Sequence, residues 1–155
     1  MSNTNVEIVQ ALLKDPTNSE VVNRLVSPDA IYVSLSYDNP DLKKLMPWAG
    51  THKDGPASVL RVFQELNTFW NIEAFDIQQI FGEGENVAVF GSFTVHSVIL
   101  DKTFISPFSV LAKVKNGLVT YMQYMEDTFG TGSTFRSSGT WTFQGNPDGS
   151  EVSVP

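Results

Sequence analysis

With 155 residues, 41% of them hydrophobic, the chain is long enough to fold around one core without metal or disulfide staples. A net charge of -7, with ten scattered Lys and Arg residues, excludes the clustered basic surface that nucleic acid requires. The absence of cysteine excludes disulfides, thiol chemistry and thiolate metal sites. No apolar run reaches membrane-spanning length, and no basic amphipathic helix marks a membrane surface. The opening Met-Ser-Asn-Thr-Asn lacks a signal-peptide pattern, so a cytoplasmic protein is expected.

The first helix is predicted to start at Thr4, where Thr4 and Glu7 have capping-box spacing and Ile8, Val9, Leu12 and Leu13 form one stripe. Asp15-Pro16 ends it, because the residue before a proline is driven out of the helical region. Thr17 and Glu20 repeat the cap ahead of a short second helix closed by Ser27-Pro28. Ala30 to Ser36 reads as a strand, and Tyr37 to Lys53, with Pro40, Pro47 and Gly50, as a long irregular loop. Asp54-Gly55-Pro56 opens a third helix over Ala57 to Trp70, with Val59, Leu60, Phe63, Leu66 and Trp70 on one face.

After Trp70 the period changes to alternation. Strands are predicted over Ile72 to Phe81, Val87 to Leu100, Phe104 to Val114 and Leu118 to Phe129. The turns between them are Gly82 to Asn86, Asp101-Lys102 and Lys115-Asn116-Gly117, which makes an antiparallel meander over the long helix. From Gly130 the chain is rich in Gly, Ser and Thr. Thr140 to Phe143 is compatible with a short strand or with packing on a neighbouring subunit, and Pro147 to Pro155 with a frayed end. The expected division is one α+β domain over residues 1–130 and a tail over 131–155.

The element order outlines a cone: a curved antiparallel sheet wrapped around a long helix, with two short N-terminal helices and an apolar cavity. In this the chain resembles the nuclear-transport-factor-2-like superfamily, and within it the SnoaL-like polyketide cyclases and ketosteroid isomerase relatives. The residues that carry the resemblance are Trp48 to His52 before the long helix, Val87 to Phe93, Ser106-Pro107-Phe108, Asn116-Gly117 and Glu126-Asp127-Thr128. It covers roughly residues 5 to 130.

The resemblance implies a proton-transferring or orienting role for Asp127, near the end of the last strand. A carboxylate in an apolar pocket has its charged form destabilised, which raises its pKa and strengthens it as a base. If Asp127 faces the cavity, alternation puts Tyr121, Gln123 and Met125 on its side. The resemblance likewise turns Phe90, Ser92, Thr94 and His96, and Phe108, Val110 and Ala112, toward the concave face. His52, in the rim loop, and His96 are candidates for a second acid or base; each also reads as a surface histidine. Tyr32, Trp48, Phe63, Trp70, Phe90 and Phe108 fit an aromatic wall for a flat apolar ligand, and equally an ordinary core.

Departures from the relatives' pattern matter as much. Ser92 and Thr94 replace the arginine and aspartate of the epoxide-hydrolase relatives, Val110 replaces a frequent histidine, and Ser34 stands near the steroid isomerases' first-strand acid. Asp38, four residues on, belongs either to that strand or to the loop. No cofactor is implied, and two isolated histidines give no metal-ligand spacing. Two functions fit. One is a cofactor-independent isomerase or cyclase acting on a hydrophobic carbonyl compound; the other is a non-catalytic ligand-binding or scaffold protein. A homodimer is expected from the family, with Met122 and Tyr124 as its outward apolar set.

Overall fold

The computed structural model describes residues 4–145 and 147–155, so the first three residues of the N-terminal reading lie outside it. Helix α1 (Thr4–Lys14) buries Val9, Leu12 and Leu13. Helix α2 (Ser19–Leu25) is capped by Asn18, not Thr17: its side-chain oxygen accepts from the Glu20 and Val21 N–H groups at 3.1 and 3.3 Å. Strand β1 (Val26–Ser34) follows.

The stretch read as an irregular loop holds two short elements. Helix α3 (Pro40–Leu45) is capped by Asn39, whose side chain accepts from the Leu42 N–H, and β2 (Gly50–His52) pairs with β1. Helix α4 (Pro56–Phe69) buries Val59 from the stripe seen in the sequence and Val62 from outside it, while Leu60, Phe63 and Leu66 of that stripe are partly buried. It enters through Gly55 at φ +60, where an added Cβ would stand 2.2 Å from the Pro28 carbonyl oxygen, so glycine is required there. Trp70 leaves the helix and begins β3 (Trp70–Glu83). Its buried ring donates from Nε1 to the Thr134 hydroxyl at 2.9 Å.

Strands β4 (Asn86–Ser97), β5 (Thr103–Lys115) and β6 (Leu118–Glu126) complete the meander. The six-stranded sheet runs β2-β1-β6-β5-β4-β3, antiparallel except where β1 lies parallel to β6. Its inner face packs on α4 and the N-terminal helices through Val87, Val89, Val95, Val110, Ala112 and Met122. Each such valine contributes roughly 1.5–3 kcal/mol on leaving water. Gly91 on that face makes room for the Phe108 ring, which would lie 2.7 Å from an added Cβ.

Past Glu126 the chain leaves the sheet. Residues 128–133, expected as strand end and tail, form a short helix, α5 (Thr128–Ser133). Beyond it β7 (Trp141–Phe143), on the stretch compatible with a short strand, pairs in a hairpin with β8 (Val152–Val154), where a frayed end is expected from the sequence. Trp141 holds the hairpin to the body, its ring edge-on to Phe129 at 4.8 Å and under the Arg136 guanidinium at 4.9 Å.

Candidate functional site: a buried glutamate in an aromatic pocket

The register of the sheet decides which side chains meet. Gly91 pairs with Phe108 across β4 and β5, and Phe108 with Glu126 across β5 and β6. Directly paired residues share a face. Phe108 is buried at 3% exposure on the inner face, so Glu126 is inside with it, as are Tyr124 and Met122 two and four residues back. The parallel pairing sets Tyr32 against Met122 and Ser34 against Tyr124, which brings both β1 residues to the same side.

These residues line a cavity of about 250 Å³ between the sheet, α4 and the α1–α2 junction. Its walls are aromatic: Tyr32, Trp48, Phe63, Trp70, Phe93 and Tyr124. Trp48 meets Trp70 edge-on at 5.0 Å, and Tyr124 lies flat on Phe108 at 5.3 Å. Ser34 and Glu126 supply polar atoms at the buried end, while Lys14, Asp15, Thr17 and Asn67 line the side nearer solvent.

Glu126 is the chemically distinctive group. One carboxylate oxygen, Oε2, is buried and has no hydrogen-bond partner among the described residues. Burial pushes its carboxyl up to about 7; the Thr131 hydroxyl opposes the rise and the neighbouring Asp127 charge adds to it. Burial likewise raises the Tyr32 and Tyr124 phenols far above their usual range, and the negative charge of Glu126 raises both further. Near neutral pH the pocket therefore holds two neutral phenols and one carboxyl poised between its charge states.

The candidate residues from the sequence divide sharply. Tyr32, Trp48 and Phe63 line the pocket, and Phe108 and Val110 form the buried layer behind it. Asp127 does not enter it. It is exposed and caps α5, accepting from the Gly130 N–H at 3.1 Å, while its own N–H donates to Ser106 Oγ at 3.0 Å. Its strand-mates by parity follow it out: Met125 is exposed on the outer face, and Tyr121 and Gln123 bond each other there.

On β4 the expected face is also reversed, with Val87, Val89, Phe93 and Val95 inside. Phe90, Ser92, Thr94 and His96 lie on the outer face, where Phe90 stacks on Phe81 at 6.2 Å and Ser92 accepts from Gln78. His96 sits among surface groups, its Nε2 2.7 Å from Asp101 and its Nδ1 2.7 Å from the Thr103 hydroxyl. His52 lies beside the pocket with both nitrogens engaged. Nε2–H donates to the Trp48 carbonyl at 2.8 Å, and Nδ1 accepts from Arg61 at 3.3 Å. It holds the Trp48 segment and leaves no nitrogen free for a ligand.

Reading β6 from Asp127 missed Glu126 and Tyr124. The signal was present in β4, where Val87, Val89, Phe93 and Val95 alternate with Ser92, Thr94 and His96. That pattern fixes the inner face without reference to any relative.

No protein-family model matches the chain. Among solved structures, an NTF2-like protein from Burkholderia xenovorans LB400 superposes with a TM-score of 0.72 at 19% identity, covering 88% of this chain and 98% of that one. A putative SnoaL-like polyketide cyclase from Shewanella denitrificans OS-217 gives 0.67 at 12% identity over 88% and 100%. TerC, co-crystallized with polyporic acid, gives 0.64 at 20% identity over 82% and 94%. The chain has the nuclear-transport-factor-2-like fold, shared with solved proteins described as SnoaL-like and of ketosteroid isomerase-like fold.

In sequence it is 44% identical over 132 residues to patulin synthesis protein F of Aspergillus clavatus, covering 83% of this chain and 67% of that protein. The patulin biosynthesis cluster protein F of Penicillium expansum is 42% identical over 132 residues, with 83% and 66% covered. The chain thus spans about two thirds of the length of these two relatives. Among the described residues, no helix is long and apolar enough to cross a membrane.

Proposed function

We propose that the chain binds a small hydrophobic carbonyl compound in this pocket and moves a proton on it through Glu126, as a cofactor-independent isomerase or cyclase. The observation that carries this reading is the buried, unpartnered Glu126 oxygen in an otherwise aromatic cavity. A carboxyl with a pKa of about 7 suits both halves of such a reaction. As carboxylate it removes a proton from the carbon beside the carbonyl; as carboxylic acid it returns that proton to another carbon. The Tyr32 and Tyr124 hydroxyls, held neutral by burial, are the donors available to the oxygen that gains charge. The small-molecule complex of TerC and the place of the 44% identical relative in patulin synthesis both support a pocket for an organic ligand.

The test is turnover of a panel of enolisable ketones by wild type and Glu126→Gln, with melting temperature as the control for folding. Loss of turnover in a folded variant supports the role; unchanged turnover contradicts it. A second reading, a non-catalytic binding protein, is favoured by Glu126 being the one buried acid among the described lining residues, the other acid of the lining, Asp15, being exposed. It predicts ligand binding with no turnover in either variant.

We also propose that the protein is a homodimer through the outer face of the sheet. Met122 and Tyr124 turn inward and cannot form that interface; Phe90, Ile105, Leu111 and Met125 are the exposed apolar set in their place. Solution mass checks it: a monomer that is unaffected by Ile105→Asp rules the interface out.

A further inference from the structure

The polar lining of the pocket divides by burial into an inner set and a solvent-facing set, among walls that are otherwise aromatic and aliphatic. Its buried end carries Glu126, Ser34 and the Tyr32 and Tyr124 hydroxyls, all from β1 and β6. Its solvent end carries exposed side chains from the α1–α2 junction and α4. Of the solvent-end groups, Asp15 is occupied within its own turn, accepting from the Asn18 side chain at 2.9 Å. Lys14 and Asn67 are different: among the described residues no carboxylate lies within ion-pairing distance of Lys14, and no side-chain hydrogen bond holds Asn67. Lys14 ends α1, where its charge also favours the helix terminus. That role, however, leaves its ammonium protons available at the rim.

Size restricts the ligand as firmly as polarity does. The cavity, about 250 Å³, falls below the roughly 300–1,000 Å³ of sites for drug-sized molecules. Such a space favours one ring with short substituents over a skeleton of several fused rings. In a chain of net charge -7, Lys14 is also the one cation lining this cavity among the described residues. It is the group able to receive a carboxylate or carbonyl oxygen at the open end.

We infer that the site takes a single-ring compound with hydrogen-bond-accepting oxygens at opposite ends, one facing Glu126 and Tyr32 and the other facing Lys14 and Asn67. This rests on the proposed ligand-binding role of the pocket and narrows its substrate class; Lys14 is the specificity residue. An outer carboxylate and an outer carbonyl share the chemistry that Lys14 recognises, and the experiment separates them.

Trp48 and Trp70 stand in the wall, so ligand entry is read by tryptophan fluorescence in a Trp141→Phe background, which removes the third tryptophan from the tail. The probes are para-acetylbenzoate, para-diacetylbenzene, para-isopropylacetophenone and 2-acetylanthracene, titrated into the wild-type pocket and into Lys14→Met. The expected result is that Lys14→Met weakens one or both of the two doubly oxygenated probes by about fivefold, as expected for a partly exposed charge contact. Affinity for para-isopropylacetophenone should stay within about twofold, since its outer end offers Lys14 nothing to bind. Loss for the benzoate alone identifies a carboxylate ligand, and loss for both identifies any outer oxygen acceptor. Equal effects of Lys14→Met on all one-ring probes, or tighter binding of 2-acetylanthracene, would overturn the inference while leaving a ligand pocket. If no probe binds, the binding role itself falls, and the inference with it.

Discussion

Two adjacent carboxylates at the end of β6 live in different worlds. Glu126 is the last residue of the strand and lies opposite Phe108 on the inner face, with a buried oxygen that no described residue satisfies. Asp127 is one residue further on, exposed, and its oxygen satisfies a helix N-terminus. The same functional group is thus a candidate acid and base in one position and a structural cap in the next. Strand periodicity turns Glu126 inward, and the chain's departure from the sheet after Glu126 takes Asp127 out to cap α5. The lesson is that a pocket acid is identified by the face its strand presents and by what its oxygens lack, not by residue type or proximity to the strand end.

The largest expected effect is on Glu126. If it moves the proton, Glu126→Gln should lower kcat by about 10²- to 10⁴-fold, whereas Asp127→Asn, which keeps a capping oxygen, should leave kcat near wild type. The comparison breaks if the two variants lose activity equally.

Next comes the pH dependence of stability. A carboxyl raised to about 7 in the folded state binds its proton there more tightly than in the unfolded chain, whose glutamate titrates near 4.5. Between these values the folded state holds the extra proton, so stability falls as pH rises from about 4.5 to 7 and levels off above. The size of the change is roughly 3 kcal/mol. Denaturant midpoints across that window should show this slope in wild type and lose it in Glu126→Gln, which should be the more stable protein at pH 8. Activity should show a limb near pH 7 from the same group.

A smaller effect is expected on the other side of the comparison. Asp127→Ala removes the α5 cap and should cost about 1 kcal/mol, or about 2–4 °C in Tm, with kcat retained. The smallest belongs to the outer face. His96→Gln should change stability by about 0.5 kcal/mol or less and leave kcat unaltered, because its carboxylate partner Asp101 is almost wholly exposed.

Much of the architecture was legible in the sequence for local reasons. The proline signal places the end of α1, and the capping signal the start of α2, to within a residue, and Asn116-Gly117 and Gly84 mark turns that require positive φ. The long helix and the meander follow from a clean change of period at Trp70. The short elements α3 and β2 were not legible, since six and three residues give too little periodicity to register. The faces of β6 were illegible for a different reason. Met122 and Tyr124 are apolar, but so are Tyr121 and Met125, and alternation carries no information when both faces are apolar. A bulge near Thr120, where Lys113 pairs with Tyr121 but Val114 with Val119, adds a slip of register. Resemblance then assigned the inner face through Asp127, and the assignment spread to Phe90, Ser92, Thr94 and His96. On β5 Phe108 and Val110 lie inside, opposite an outer face that mixes Ser109 and Lys113 with Ile105 and Leu111.

The central claim concerns the environment of one carboxyl, and it is tested by following the side-chain carboxyl carbons of all glutamates by NMR as pH is varied. The account predicts one glutamate resonance titrating near pH 7 that disappears in Glu126→Gln and persists in Asp127→Asn. A wild-type protein in which no glutamate titrates above the ordinary carboxyl range would contradict it.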